Sequence, residues 1–311
     1  ITYDIEYGEN VNENILGIEY TETLYLDIYQ PENDQQQQRP LIIFMFGGSF
    51  VGGSKSSSVM QELCTRYAKM GYVASAIDYR LTTTLIWNGT EENAYKAVIK
   101  SIHDLKAAIR FFNMSYETQN NFRIDTSRVY VGGSSAGAIS AVNAAYINDL
   151  SEVPTDIFDY TIDNGGLEGL SGNPGYSSNF HGVVNLCGAV GDYQWIEPGD
   201  IPIVSVHGDE DTVVPYADEL VTLFGLNLQV YGSYIINGTM LDLGNQSALY
   251  TFEGDGHTPY VSSAADMNTT ILFTREFMYD IVCNDSQSID ILIENEVGWN
   301  LVGLPLYIED S

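Results

Sequence analysis

The chain has 311 residues, of which 44% are hydrophobic and 17% charged, so it can bury a large core and suits one α/β domain with a wide central sheet. Its 12 basic residues stand against 42 acidic ones, and the net charge of −30 argues against nucleic acid or an anionic membrane as a partner. No apolar run reaches the roughly 18 residues of a membrane-spanning helix.

Seven short strands are predicted in chain order from apolar or alternating runs: residues 24–29, 41–46, 72–77, 129–131, 183–186, 201–206 and 248–252. Helices are predicted from apolar periodicity and glycine boundaries over residues 59–70, 94–112, 136–147, 216–224 and 269–282. Strands that alternate with helices predict a mostly parallel sheet covered on both faces, the α/β class. The Gly-, Ser- and Asn-rich stretch 149–181 has no clear period and is predicted to be a surface excursion near the functional site.

The strongest motif is G-x-S-x-G, written Gly133-Ser134-Ser135-Ala136-Gly137, between a predicted strand and a predicted helix. So sharp a turn leaves no room for side chains at its flanks, and it lifts the central serine hydroxyl above the sheet. The helix N-terminus that follows favours negative charge there. The register makes Ser135 the candidate nucleophile and excludes Ser134. The amide of Ala136 is the first candidate oxyanion donor.

A nucleophilic serine needs a base, and the base needs an orienting acid. Of the four histidines, only His257 follows a late strand in a glycine-rich loop, Gly254-Asp255-Gly256-His257, so it is the candidate base. His103 lies on a predicted helix, His181 ends the irregular stretch, and His207 is expected to be structural. Three neighbouring carboxylates follow a buried strand as candidates for the acid: Asp209, Glu210 and Asp211.

Six segments together resemble the carboxylesterase and hormone-sensitive-lipase branches of the α/β-hydrolase superfamily across residues 20–283. They are FGGSF (46–50), DYRL (78–81), DLKAAIR (104–110), GSSAG (133–137), HGDEDTVVP (207–215) and GDGH (254–257). The resemblance implies the α/β-hydrolase fold and the chain order serine, acid, histidine. It singles out Asp211 as the acid, and it places the second and third oxyanion donors at the amides of Gly48 and Ser49.

The chain departs from the family pattern at two positions. Phe46 stands where the relatives carry histidine, and Ser49 replaces their third glycine. Backbone amides form an oxyanion hole, so we expect the hole to survive both changes.

Three aromatic residues, Phe50, Trp87 and Trp195, are candidates for lining the substrate pocket, although aromatic side chains more often belong to a core. Arg80 and Asp104 are candidates for an internal ion pair supporting the site, with two unrelated surface charges as the alternative. A disulfide between Cys64 and Cys283 is sterically allowed, whereas Cys187 is expected to be buried and free.

We therefore expect a serine carboxylic-ester hydrolase that acts through an acyl-enzyme on soluble esters with short acyl groups, without a metal or organic cofactor. Alternatives are an esterase for feruloyl or acetyl groups on polysaccharide, a polyester hydrolase, and an inactive binding protein of the same fold. A peptidase of the prolyl-oligopeptidase kind would carry a propeller, and the chain has no blade-like repeats.

The catalytic domain is predicted to span residues 1–283, with residues 284–311 as an extra strand or a truncated appendage. The acidic bias and the start at Ile1 favour a bacterial protein secreted to the exterior or the periplasm. The expected partner is a small-molecule or polymeric ester, and the sequence leaves the oligomeric state open.

Overall fold

The computed structural model describes residues 1–83, 89–222 and 225–284. Its strands are β1 (Thr2–Glu13), β2 (Glu19–Tyr29), β3 (Arg39–Met45), β4 (Val73–Ile77), β5 (Ile124–Ser134), β6 (Val183–Leu186), β7 (Ala189–Val190), β8 (Ile203–Gly208), β9 (Asp218–Val221), β10 (Leu228–Gly232) and β11 (Ser247–Phe252). Its α-helices are α1 (Ser58–Lys69), α2 (Glu91–Thr118), α3 (Ala136–Tyr146), α4 (Phe158–Asp163), α5 (Ser233–Asp242) and α6 (Ala264–Asn284).

Eight strands form the central sheet, in the order β1-β2-β4-β3-β5-β6-β8-β11. The β1–β2 and β2–β4 pairs are antiparallel, and every pair from β4 to β11 is parallel. All residues of β4, β6 and β8 are buried, and neighbouring side chains in a strand point to opposite faces, so both faces of the sheet are covered. This arrangement explains the continuous apolar runs in the sequence and confirms the predicted fold class.

The predicted helix over residues 216–224 is wrong. Asp218–Val221 instead forms β9, which pairs antiparallel with β10 in a three-stranded sheet of order β7-β10-β9. This four-residue strand is stabilised by its pairing with β10, and local periodicity does not reveal such a pairing. Sequence reasoning also missed β1, which forms the sheet edge, and α5, whose sequence contains Gly238.

Arg80 and Asp104 form the predicted internal ion pair. The Arg80 Nη2 and Asp104 Oδ1 atoms are 2.9 Å apart, and both side chains are buried. The Ser171 hydroxyl donates to the same carboxylate oxygen at 2.6 Å, and Arg80 also donates to the Val11 carbonyl at 2.8 Å. The pair thereby joins α2, the edge strand β1 and the segment before β6.

The stretch 149–181 lies along α2 and β1. Its backbone carbonyls accept from basic side chains of α2: Arg110 Nε donates to the Gly172 carbonyl at 2.9 Å, and Arg110 Nη1 donates to that of Glu168 at 3.0 Å. The amide of Glu9 in β1 donates to the Ser171 carbonyl at 3.0 Å. Its glycines and asparagines thus serve a backbone that packs along a helix, and its closeness to the functional site stays a prediction.

Cys64 and Cys187 are buried free thiols. This confirms the prediction for Cys187, whereas the disulfide considered for Cys64 stays a prediction. The side chain of its proposed partner, Cys283, lies outside the described residues, as do Trp87 and the tail from residue 285 onward. Within the described ranges, no helix has the length and apolar character needed to cross a membrane.

Candidate active site

Ser135 lies at the junction of β5 and α3, with φ 54° and ψ −119°. Non-glycine residues rarely adopt such a conformation, and it persists only where the surroundings enforce it. Here the Ser135 amide donates to the Leu186 carbonyl at 2.8 Å, and the Ser135 carbonyl accepts from the Ile139 amide at 2.9 Å. The strained turn therefore holds the hydroxyl at the carboxyl end of β5.

The glycines around Ser135 are required by close backbone contacts. A Cβ atom on Gly133 would lie 2.2 Å from the carbonyl carbon of Gly137, and one on Gly137 would lie 2.2 Å from the Met45 carbonyl oxygen. A Cβ atom on Gly47 would lie 2.9 Å from the Ser134 carbonyl oxygen. Backbone atoms cannot move aside as a flexible side chain can, so the glycines of G-x-S-x-G and of the loop after β3 allow the two segments to touch.

The structure brings the predicted serine, histidine and acid into one hydrogen-bonded row. His257 Nε2 lies 2.8 Å from Ser135 Oγ, and His257 Nδ1 lies 2.6 Å from Asp211 Oδ2. The loops that carry Asp211 and His257 are in backbone contact, because a Cβ atom on Gly208 would lie 2.3 Å from the Asp255 carbonyl oxygen. This is the arrangement in which a histidine removes the proton of a nucleophilic serine.

Asp211 is buried and held by four hydrogen-bond donors. Its Oδ1 atom accepts from the amides of Val213 at 2.8 Å and Val214 at 3.0 Å, and its Oδ2 atom accepts from His257 and from His207 Nε2, the latter at 3.1 Å. Burial alone raises the pKa of a carboxyl group, but the two histidines and the Val213 amide outweigh it and hold the pKa of Asp211 well below its usual range. Asp211 is therefore ionised at neutral pH and fixes the His257 proton on Nδ1.

The two rival residues bond to the neighbouring loop, Asp209 through its carboxylate and Glu210 through its backbone amide. The Oδ1 atom of Asp209 accepts from the Gly254 amide at 2.6 Å, and the amide of Glu210 donates to the Asp255 carbonyl at 3.0 Å. Both side chains are exposed. Of the three candidates, Asp211 is the one whose carboxylate contacts His257.

The segments that carry the predicted oxyanion donors lie next to the nucleophile turn. Ala136 is the first residue of α3, and the loop with Gly48 and Ser49 follows β3, where Gly47 touches the nucleophile turn. Within the described residues, no hydrogen-bond acceptor is paired with the amides of Gly48, Ser49 or Ala136. A developing oxyanion requires N–H groups that are not already bonded, so these three amides stay the candidate donors.

The departures from the family pattern have a structural explanation. The Phe46 ring stacks on Tyr79 with 4.3 Å between centroids, and the Tyr79 hydroxyl donates to the Phe46 carbonyl at 2.8 Å. Aromatic stacking thus anchors the loop at the position of the family histidine. Ser49 has φ 53°, the left-handed conformation that glycine adopts most readily.

Phe50 and Trp195 lie in different surroundings. The Phe50 ring is 4% exposed and packs edge-on against Tyr79, with 6.3 Å between centroids, which favours a role in supporting the oxyanion loop over one in lining a pocket. Trp195 is half-buried on a single 3₁₀ turn and lies over Gly191, where a Cβ atom would meet its ring at 2.7 Å.

Sequence reasoning missed two contacts of the site. The Ser134 hydroxyl lies 2.6 Å from the hydroxyl of the buried Tyr260, so this serine is tied down beside the nucleophile. His207 contacts Asp211 directly, and the signal was its spacing of four residues in H-G-x-x-D.

The described residues also bring three metal-ligand types together, with ligand atoms of Cys187, Asp211 and His257 all within 4.8 Å of one another. Burial raises the pKa of the Cys187 thiol above its usual value and keeps it protonated, which opposes metal coordination. The hydrogen bond between Asp211 and His257 already uses the other two groups, so the cluster is better suited to proton transfer than to holding a cation.

Comparisons with known proteins agree with this geometry. The BD-FAE family model matches residues 26–168. The fold is similar to that of an esterase from the planctomycete Thermogutta terrifontis, esterase 2. Its paraoxon-phosphorylated and propionate-bound structures each have a TM-score of 0.61 and 21% identity, and cover 88% of this chain and 94% of the other. Its tabun-treated structure has a TM-score of 0.62 and 21% identity, and covers 88% and 95%. None of the curated proteins matches the chain.

The sheet order, the strained serine turn and the hydrogen-bonded row of Ser135, His257 and Asp211 agree with these matches. The chain therefore has the α/β-hydrolase fold.

Proposed function

We propose that the chain hydrolyses soluble carboxylic esters with short acyl groups, with Ser135 as nucleophile, His257 as base and Asp211 as the orienting acid. The observation that carries the proposal is the continuous hydrogen-bonded row of Ser135, His257 and Asp211. The distance from Ser135 Oγ to His257 Nε2 is 2.8 Å, and that from His257 Nδ1 to Asp211 Oδ2 is 2.6 Å. An inactive binding protein has no need of a strained serine turn with a base and an acid aligned behind it.

In the first step His257 Nε2 takes the Ser135 proton while Oγ attacks the ester carbonyl. The amides of Gly48, Ser49 and Ala136 hold the oxyanion, which they meet without breaking a bond to another protein acceptor. His257 then gives the proton to the leaving alcohol. Water repeats the sequence on the acyl-enzyme, and Asp211 stabilises the imidazolium at both stages.

Two observations support short acyl groups. The single α-helix within residues 149–181, α4, spans six residues, which is too short for the amphipathic lid of a lipase, and the stretch lies along α2. Structures of the Thermogutta esterase with propionate and with butyrate bound show that a relative in fold holds short acids. The strong acidity of the chain further supports our proposal of a protein that works outside the bacterial cell or in its periplasm.

A p-nitrophenyl ester series compared by kcat/KM tests the acyl preference. We expect a maximum between acetyl and hexanoyl and no rate jump above the solubility limit of the substrate. A maximum at dodecanoyl or longer with such a jump would indicate a lipase.

Methyl ferulate, acetylated xylan and a soluble polyester oligomer are assayed in the same series. Each tests one of the alternative esters with the same Ser135 chemistry. A kcat/KM for one of them above that of every simple short-acyl ester would replace short soluble esters as the proposed substrate class.

A further inference from the structure

Two histidines from different segments share one oxygen of the candidate acid. His257 Nδ1 lies 2.6 Å from Asp211 Oδ2, and His207 Nε2, at the end of β8, lies 3.1 Å from the same atom. His207 is completely buried and is not part of the row from Ser135 through His257 to Asp211. Its fixed position against Asp211 therefore calls for a separate function.

The proton position on His207 follows from a chain of hydrogen bonds that starts at Asn185. The Gly188 amide donates to Asn185 Oδ1 at 2.9 Å, which fixes the orientation of the side-chain amide. Asn185 Nδ2 must then donate to the Ser233 hydroxyl oxygen at 3.0 Å. The one hydrogen of that hydroxyl is left for His207 Nδ1, at 2.8 Å.

The other side of the His207 ring gives the same assignment. His207 Nε2 faces two acceptors, Asp211 Oδ2 and the Val214 carbonyl, each at 3.1 Å. A nitrogen that faces only acceptors carries the hydrogen. His207 is thus neutral and protonated on Nε2, whereas His257 is protonated on Nδ1. The two rings place opposite nitrogens against one carboxylate oxygen.

We infer that His207 is a positioning residue for the ester hydrolysis proposed above. Its Nε2–H group holds Asp211 Oδ2 at the point where His257 Nδ1 meets it, and the Ser233–Asn185 chain locks His207 in the required tautomer. Without this donor, the backbone amides of Val213 and Val214 hold only Oδ1, and Oδ2 can turn away from His257. The inference rests on the proposed function, because a positioning role has a catalytic effect only where the Ser135 row catalyses.

The first test uses the wild-type protein and does not depend on activity. Long-range ¹H–¹⁵N correlation of the histidine rings is expected to show His207 as the neutral Nε2–H tautomer. A His207 that is protonated on Nδ1 overturns the inference, even if the protein proves to be an active esterase. The His207→Phe spectrum assigns the signal.

The second test compares two substitutions that place an amide at different ends of the ring. His207→Gln can set its Nε2 donor against Asp211, whereas His207→Asn reaches only as far as Ser233. We expect kcat to fall at least about tenfold in His207→Asn with KM unchanged, the scale of one lost hydrogen bond to a charged group. His207→Gln should regain most of that loss.

His103→Gln is the matched control, since His103 is similarly buried but donates to the Gly166 carbonyl and, within the described residues, makes no hydrogen bond to the Ser135 row. We expect its kcat to equal that of the wild type. The far-downfield proton signal of the His257–Asp211 bond should weaken in His207→Asn and persist in His207→Gln. Equal kcat in His207→Asn, His207→Gln and wild type overturns the inference. Wild-type protein without esterase activity instead overturns the proposed function and leaves the tautomer test intact.

Discussion

Asp211 shows how much of the site is decided at the level of single residues. Three carboxylates follow β8 within three positions, and only the geometry of the loop separates them. Asp211 turns inward and accepts four hydrogen bonds, whereas Asp209 turns outward and accepts from the Gly254 amide at 2.6 Å. Residue type alone did not distinguish the three carboxylates, and the prediction of Asp211 came from the resemblance to known esterases.

Replacement of Asp211 by Asn is expected to lower kcat by about 10⁴-fold, because the amide cannot keep His257 in its Nδ1–H tautomer. Asp209→Asn keeps an oxygen acceptor for the Gly254 amide and removes only the charge, and it should cost less than about tenfold. Steady-state kinetics with p-nitrophenyl acetate at neutral pH measures both. A larger loss in Asp209→Asn than in Asp211→Asn would show that Asp209, and not Asp211, is the acid.

His103 links a buried side chain to the pH dependence of stability. Burial, which outweighs the bond to the Gly166 carbonyl, lowers the pKa of His103 from 6.5 to about 4. The unfolded chain therefore binds one more proton than the folded one between these two pH values, and stability falls as the pH falls through that window.

The variant His103→Gln keeps a donor for the Gly166 carbonyl and cannot titrate. Between pH 6.5 and about 4, we expect its unfolding free energy to fall less steeply than that of the wild type, by up to about 1.4 kcal/mol per pH unit. Urea unfolding at four pH values measures the difference. Parallel stability curves would show that His103 is charged in the folded protein.

At the scale of helices and strands, local sequence patterns predicted some elements and missed others. The strands of the parallel sheet are continuous apolar runs, and helices α1, α2, α3 and α6 have clear periodicity or boundaries, so each was predicted close to its observed position. β9 and β1 were not, because few of their residues are buried, so neither strand is a continuous apolar run; each pairs with the next strand along the chain. The wrap of residues 149–181 along α2 likewise depends on tertiary contacts with Arg110 and Asp104.

The Arg80–Asp104 pair links α2 to β1 and to the segment before β6, and its contribution to stability can be measured. Asp104→Asn leaves a buried guanidinium without its counter-charge, and we expect a loss of about 3–5 kcal/mol in unfolding free energy. The exposed pair of Lys96 and Glu92, with side chains 30% and 51% exposed, is the control, and Glu92→Gln should cost less than about 1 kcal/mol. Equal losses in the two variants would mean that burial of the first pair has no energetic consequence.

At the scale of the whole molecule, the alternation of strands and helices predicted the fold class, whereas the shape of the substrate pocket could not be predicted. A sheet of buried parallel strands follows from alternating strands and helices. Pocket shape depends on how surface segments lie, and the segment expected to shape it lies along α2. The nucleophile motif could be recognised in the sequence because close backbone contacts require glycine at fixed positions around Ser135.

The net charge of −30 makes salt dependence a property of the whole molecule. Self-repulsion destabilises the compact state at low ionic strength, and about 1 M salt shortens the Debye length to roughly 3 Å. We therefore expect a higher melting temperature in molar NaCl than in dilute buffer, measured by differential scanning fluorimetry. A flat or falling melting temperature would show that repulsion between the acidic side chains does not limit stability.

The central claim is that Ser135 is a nucleophile activated by His257 and Asp211. Covalent labelling with a fluorophosphonate probe, followed by peptide mass spectrometry, tests it most directly. We expect one phosphonate on Ser135 in the wild type, no labelling and an at least about 10³-fold loss of ester turnover in Ser135→Ala, and retained labelling in Ser134→Ala. Labelling that survives Ser135→Ala, or a wild-type protein that the probe does not label, would contradict the account.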